Sequence, residues 1–195
     1  LTPKKFSYVF KKWEHKKKFL NNINDILIEI AKENPDINVI IKPKNYELKS
    51  NYNKDLINKL IRTKKKYSIK NLSILPSANT HKLIMSATVI TGLQSSTILE
   101  AMMAKKIILL PIFHELEVSK HFNDLYFKDY LYLFNVSKNK FDFKDKLIQL
   151  TRYPENDKTL KLNKKVKEDL WKHFFYSSKP IFNDKYKEYI DQILS

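Results

Sequence analysis

Four short runs, at residues 37–41, 72–75, 88–91 and 107–110, are apolar almost throughout, and stretches of helical periodicity separate them. A strand that is apolar on both of its faces has no side to give to water. Such strands belong to parallel sheets with helices packed over both faces. Phe19, Ile23, Ile26, Leu27 and Ile30 fall at three- and four-residue spacing ahead of Pro35, and Leu56, Ile57, Leu60 and Ile61 repeat that pattern. A strand at 6–10, a short helix beginning near Asn79, helices at 97–104, 115–129 and 142–150, and a weaker strand at 131–134 complete the alternation. The expected fold is α/β: a three-layer, doubly wound, mostly parallel sheet of Rossmann-like form, followed by C-terminal helices.

Composition narrows the class. An apolar share of 43% in 195 residues is enough to build a core, so the chain is not a disordered tail. With no cysteine there is no disulfide, thiol nucleophile or thiolate metal site. No apolar run approaches the roughly 20 residues that span a bilayer, and no signal peptide is visible. The formal charge is +16. It reads either as a bias toward Lys, Asn and Ile or as attraction to phosphorylated ligands, anionic membrane surfaces or nucleic acid. Lysines spread along the whole chain instead of lining one stripe, which speaks against nucleic acid. Starting at Leu1 and not Met, the chain is expected to be a piece of a longer protein.

The single glycine, Gly92, stands where the run at 88–91 meets three hydroxyl residues, Ser95, Ser96 and Thr97, at the head of a helical pattern. A strand, a permissive turn and a helix opening on hydroxyls form a geometry that holds phosphate, because the first amides of a helix are unpaired and carry the positive end of its dipole. Thr97-x-x-Glu100 also has the form of a capping box, which needs no ligand. Glu100 either closes that box or accepts from ribose or sugar hydroxyls.

Three other groups lie at expected strand ends. Lys42 and Lys44, around Pro43, put two cations at the ligand-bearing edge or are simply solvated lysines. The basic loop at 11–16 approaches an anionic ligand or is a charged surface loop. His114 follows Pro111 at another strand end, where a ligand contact is one reading. His81, His114, His121 and His173 show no metal-ligand spacing with carboxylates, so no metal is expected. The glycine signatures of P-loop, dinucleotide and Ser-hydrolase sites are absent. Val166, Leu170, Trp171, Phe174 and Phe175 line one helical face that reads as packing surface, and a last helix surrounds Tyr186, Tyr189, Ile190 and Ile193.

In order, the "IIKPKN" segment at 40–45 and "SANTHKLIMSATVITGLQSSTILEAMMAKKIILLPIF" at 77–113 resemble the C-terminal half of a GT-B glycosyltransferase. The resemblance runs over about residues 6–150 and is nearest to bacterial capsule and surface-polysaccharide enzymes, including polysialyltransferase-like and CDP-glycerol polymer transferases. It implies that Ser95, Ser96 and Thr97 contact the phosphates of a nucleotide-sugar donor and that Glu100 is the family's helix glutamate. The family's histidine-proline pair aligns with Lys44-Asn45, after Lys42-Pro43. Lys44 would then neutralise charge on the leaving nucleotide, although lysine is a poorer proton shuttle than histidine. The family's usual glycine before the next strand is replaced by Lys105-Lys106.

The expectation is therefore a nucleotide-sugar-binding domain at 1–155, with helices at 156–195 packing on it or on a missing N-terminal half that binds a polysaccharide or glycolipid acceptor. The donor is a substrate, with no separate cofactor and no metal. Transfer would be cytoplasmic, at the inner face of a membrane where the protein associates peripherally. A GT-B-like sugar-nucleotide epimerase and a non-catalytic basic module for membrane or nucleic acid are the rival readings.

Overall fold

The computed structural model describes residues 16–43, 51–93, 95–119, 122–125, 127–157, 168–169 and 172. The expected strand at 6–10, most of the loop at 11–16, Lys44, His121 and nearly all of the tail beyond 157 lie outside them. The chain divides into two compact units, one of Lys17–Leu83 and one of Ile84–Ser195 with Leu1–Lys16.

In the first unit, helix α1 (Lys16–Glu33) buries Phe19, Ile26, Leu27, Ile30 and Ala31 along one face. It stops at Asn34, whose side chain bonds the Ile30 carbonyl at 3.1 Å, with Pro35 next. Strands β1 (Val39–Ile41) and β2 (Leu72–Ile74) pair in parallel, Val39 opposite Leu72 and Ile41 opposite Ile74. Between them runs α2 (Asn51–Lys66), which packs on β2. Asn71 Nδ2 donates to the carbonyls of Asn34, at 2.9 Å, and Ile37, at 2.7 Å. That amide ties the turn after α1 to the start of β2. Helix α3 (Thr80–Ser86) crosses the sequence boundary between the units, with the Lys82 amide bonded to Asn79 Oδ1.

The second unit holds three parallel strands in the order β3 (Val89–Thr91), β4 (Ile107–Pro111), β5 (Asn135–Ser137). Every residue of β4 is buried, so both faces of that strand are covered, as its unbroken apolar sequence requires. Helix α4 (Ser96–Met103) packs on β3 and β4, and α6 (Lys140–Arg152) packs on all three strands. The fold is thus α/β with two small parallel sheets.

Two expected elements are corrected. Residues 131–134 do not form the strand: they close a 3-10 helix, Lys128–Leu133, and the strand follows at Asn135–Ser137. Periodicity favoured the apolar run, but Leu133 and Phe134 are needed in the core, where Phe134 meets Phe127 edge-on at 5.6 Å. The polar strand is tolerated because its side chains are paired. Asn135 Nδ2 reaches the Ile108 carbonyl at 3.2 Å, and Ser137 Oγ reaches that of Leu110 at 3.3 Å. The single helix expected at 115–129 is instead the short α5 (His114–Glu117) and a 3-10 turn, Phe122–Asp124. Leu116, Leu125 and Phe127 are all buried, and their spacing of nine and two fits no single helical face.

Candidate functional site

The carboxyl ends of β3, β4 and β5 form one edge of the second unit, and the helix beginning after β3 supplies the expected hydroxyls. Ser95 is the N-cap of α4, in extended conformation, its Oγ accepting from the Thr97 amide at 3.3 Å. The Ile98 amide turns back to the Ser95 carbonyl at 3.0 Å. Capping therefore occupies two amides that a bound anion would use, but leaves the Ser95 O–H hydrogen to donate elsewhere.

The expected capping box does not form. With Ser95 as cap, Thr97 is the second helical residue and Glu100 lies two residues past the position that reaches back to the cap. Glu100 instead follows Ser96 by four residues on the same face, and the Ser96 hydroxyl hydrogen-bonds its carboxyl. The side chain is 3% exposed, and Oε2 is buried with no hydrogen-bond partner among the described residues. Helix α4 and strands β3 and β4 read STILEAMM, VIT and IILLP, so Glu100 is the one ionisable group among them. Burial pushes its carboxyl from an ordinary 4.5 up to about 7, with the Ser96 hydrogen bond acting the other way.

Gly92 has a different reason from the expected one. Its φ is not positive, so the turn makes no demand for a permissive residue. A Cβ built there would come 3.3 Å from Ile98 Cδ1, and Ile98 is buried. The glycine lets the first turn of α4 close down on the end of β3, a packing contact that brings Ser95 and Ser96 to the sheet edge. The Thr91 hydroxyl helps hold that edge, donating to the Leu109 carbonyl at 2.9 Å.

Gly92, Ser95, Ser96, Thr97 and Glu100 are therefore brought together at one strand end. His114 opens α5 just beyond the paired strand β4; it is exposed, and its amide bonds the Lys138 carbonyl at 2.9 Å. Lys42, half-buried just after β1, belongs to the other unit, and Lys44 lies outside the described residues.

Sequence reasoning missed the third strand end. Lys138, directly after β5, pairs with Glu117 of α5 at 2.7 Å, while its amide bonds Asp142 Oδ2 at 2.8 Å. Asn139 caps α6 through the amides of Phe141 and Asp142, at 2.9 and 3.0 Å. The signal was present in Asn139-x-x-Asp142, a helix-start pattern, but a strand set four residues early hid the fact that Lys138 sits at a strand end. The edge thus carries hydroxyls, a cation paired with a carboxylate, an exposed imidazole and one neutral-leaning carboxyl behind them. Hydroxyls and cations suit an anionic, hydroxyl-rich ligand; among the described residues no group of His, Asp and Glu is disposed to hold a metal. No family model, no curated protein and no solved structure matches this chain.

Proposed function

We propose that the second unit is the donor-binding core of a GT-B-type glycosyltransferase of bacterial surface or capsule polysaccharide synthesis, its strands part of a three-layer, doubly wound sheet. The observation that carries this reading is the head of α4. Two serines open a helix at the carboxyl end of a parallel strand, the position where α/β sheets take their ligands. Ser95 donates its hydroxyl to a donor phosphate at the head of the helix dipole, and Ser96, whose hydroxyl hydrogen goes to Glu100, meets it through its backbone. Glu100, too buried to meet a ribose, orients Ser96 instead. His114, one strand over, and Lys138, two strands over, lie at the same edge. Transfer needs no metal. Turnover requires an acceptor-binding half.

Isothermal calorimetry with UDP-, CDP- and CMP-linked sugars tests the reading. At least one donor class should bind, and Ser95→Ala should weaken it about tenfold, the cost of one hydrogen bond to a charged oxygen. No heat from any of them, in protein shown to be folded by circular dichroism, refutes donor binding.

A further inference from the structure

Lysine is scattered along the sequence, but α2 gathers part of it onto one surface. Lys54, Asn58, Ile61, Arg62 and Lys65 are all exposed. At 100° per residue they fall within an arc of about 100°, turned away from buried Leu60. Among the described residues the side chains of Lys54, Arg62 and Lys65 have no ion pair or hydrogen bond, whereas that of Lys59 on the flank is held by Asp25 at 3.3 Å. Asp55 is the only acid in the helix. Ile61, 50% exposed, stands among the cations. Beyond the helix end, the half-exposed Tyr67 ring lies 4.6 Å from Lys32 Nζ and 5.3 Å from Lys66 Nζ, adding two cations and an amphipathic ring.

We infer that this face of α2 docks the protein on an anionic bilayer surface, with Lys54, Arg62 and Lys65 over the headgroups and Ile61 seated between them. An anionic lipid surface attracts such a cationic face, and its headgroup boundary takes up exposed apolar area such as Ile61. Nucleic acid fits less well. The chain has two arginines, Arg62 and Arg152, so forked recognition of phosphate or guanine is nearly absent. The Tyr67 ring is flanked by two ammonium groups and offers no open platform for a base. Lysines acting as point charges on a convex helix suit a diffuse sheet of negative charge. Each contributes roughly a fivefold gain in partitioning, so docking is reversible and sensitive to salt.

The inference is independent of donor binding and is tested with the full chain in sedimentation assays. Vesicles of phosphatidylcholine containing phosphatidylserine should bind it and phosphatidylcholine alone should not, with binding falling steeply as salt rises. Arg62→Gln with Lys65→Gln should weaken partitioning about 25-fold, two factors of five. Lys105→Gln with Lys140→Gln, exposed lysines of the other unit, should cost far less. Ile61→Asn should weaken binding by an amount that salt does not change. All variants should retain the parental unfolding curve, since the altered side chains are exposed. Absence of binding to anionic vesicles, or equal losses from the two lysine-containing pairs, overturns the inference. So does tighter binding to a mixed-sequence DNA duplex that the Arg62 and Lys65 substitutions weaken in the same proportion.

Discussion

Glu100 makes the stability of the second unit depend on pH in a defined direction. Its carboxyl titrates near 4.5 in the unfolded chain and about 7 in the folded one. Below pH 4.5 both states hold the proton and the group costs nothing. Between 4.5 and 7 the unfolded chain releases the proton and the folded chain keeps it, so stability falls as pH rises. Above 7 both are ionised, and the folded state carries the full cost of a buried carboxylate. A displacement of that size corresponds to about 3 kcal/mol, lost across this window. With no other ionisable group on α4, β3 or β4, the effect belongs to one side chain.

The perturbation is Glu100→Gln, which keeps the shape and can still accept from Ser96 but has no proton to lose. Urea unfolding followed by circular dichroism, at several pH values from 4 to 8.5, gives the stability of each protein. The variant-minus-parent difference is the quantity to follow, because every other titrating group, His81 included, cancels in it. It should rise by about 3 kcal/mol toward high pH, mostly between pH 4.5 and 7. Ser96→Ala supplies an internal check. Removing a hydrogen bond that favours the ionised form raises the folded value further, so the falling limb of the stability curve should extend above pH 7. Parallel stability curves for parent and Glu100→Gln would refute the reasoning.

Three further outcomes follow from the packing. Gly92→Ala should cost about 1 kcal/mol, because its Cβ meets Ile98 Cδ1 in a buried setting; in an Ile98→Val background, which removes that methyl, the same change should be neutral or stabilising, and additive urea midpoints would contradict the contact. Lys105 and Ser68 sit at φ 55 and 51, each just after a helix closed by paired turn-back bonds (Lys105 to Met102 and Lys106 to Ala101; Ser68 to Lys65 and Ile69 to Lys64). Lys105→Gly and Ser68→Gly should therefore each stabilise by about 1 kcal/mol, seen as a Tm rise of roughly 2–4 °C. Asn135→Ala should destabilise by about 2 kcal/mol in urea, since it strips a donor from the fully buried Asp157 and from the Ile108 carbonyl; a loss below about 0.5 kcal/mol would show that the amide does not pin these segments.

What the sequence disclosed followed from how strongly burial constrains each element. Strand β4 was legible because a strand covered on both faces must be apolar throughout. That β1 and β2 would be parallel strands separated by a helix was legible from the alternation; which strand each would pair with was not. Strand β5 was not legible, because its backbone places Asn135 and Ser137 where side-chain amide and hydroxyl can bond the neighbouring strand. No period in the sequence announces that long-range pairing, and the adjacent apolar run drew the assignment away. The same error hid Lys138. At the head of α4 the residues were located correctly but their roles were not. Ser95 and Thr97 are both competent caps by type, and which one serves depends on where the chain leaves β3. Gly92 leaves room for the observed start, since an added Cβ would come within 3.3 Å of Ile98 Cδ1 in the first turn after Ser95. Starting there sends Ser96 and Glu100 down one face and buries the carboxyl. The lone glycine is thus upstream of the proton chemistry: any substitution that pushes the first turn of α4 off Ile98 should also loosen the Ser96–Glu100 pair and, with the carboxyl still buried, hold it further above 4.5.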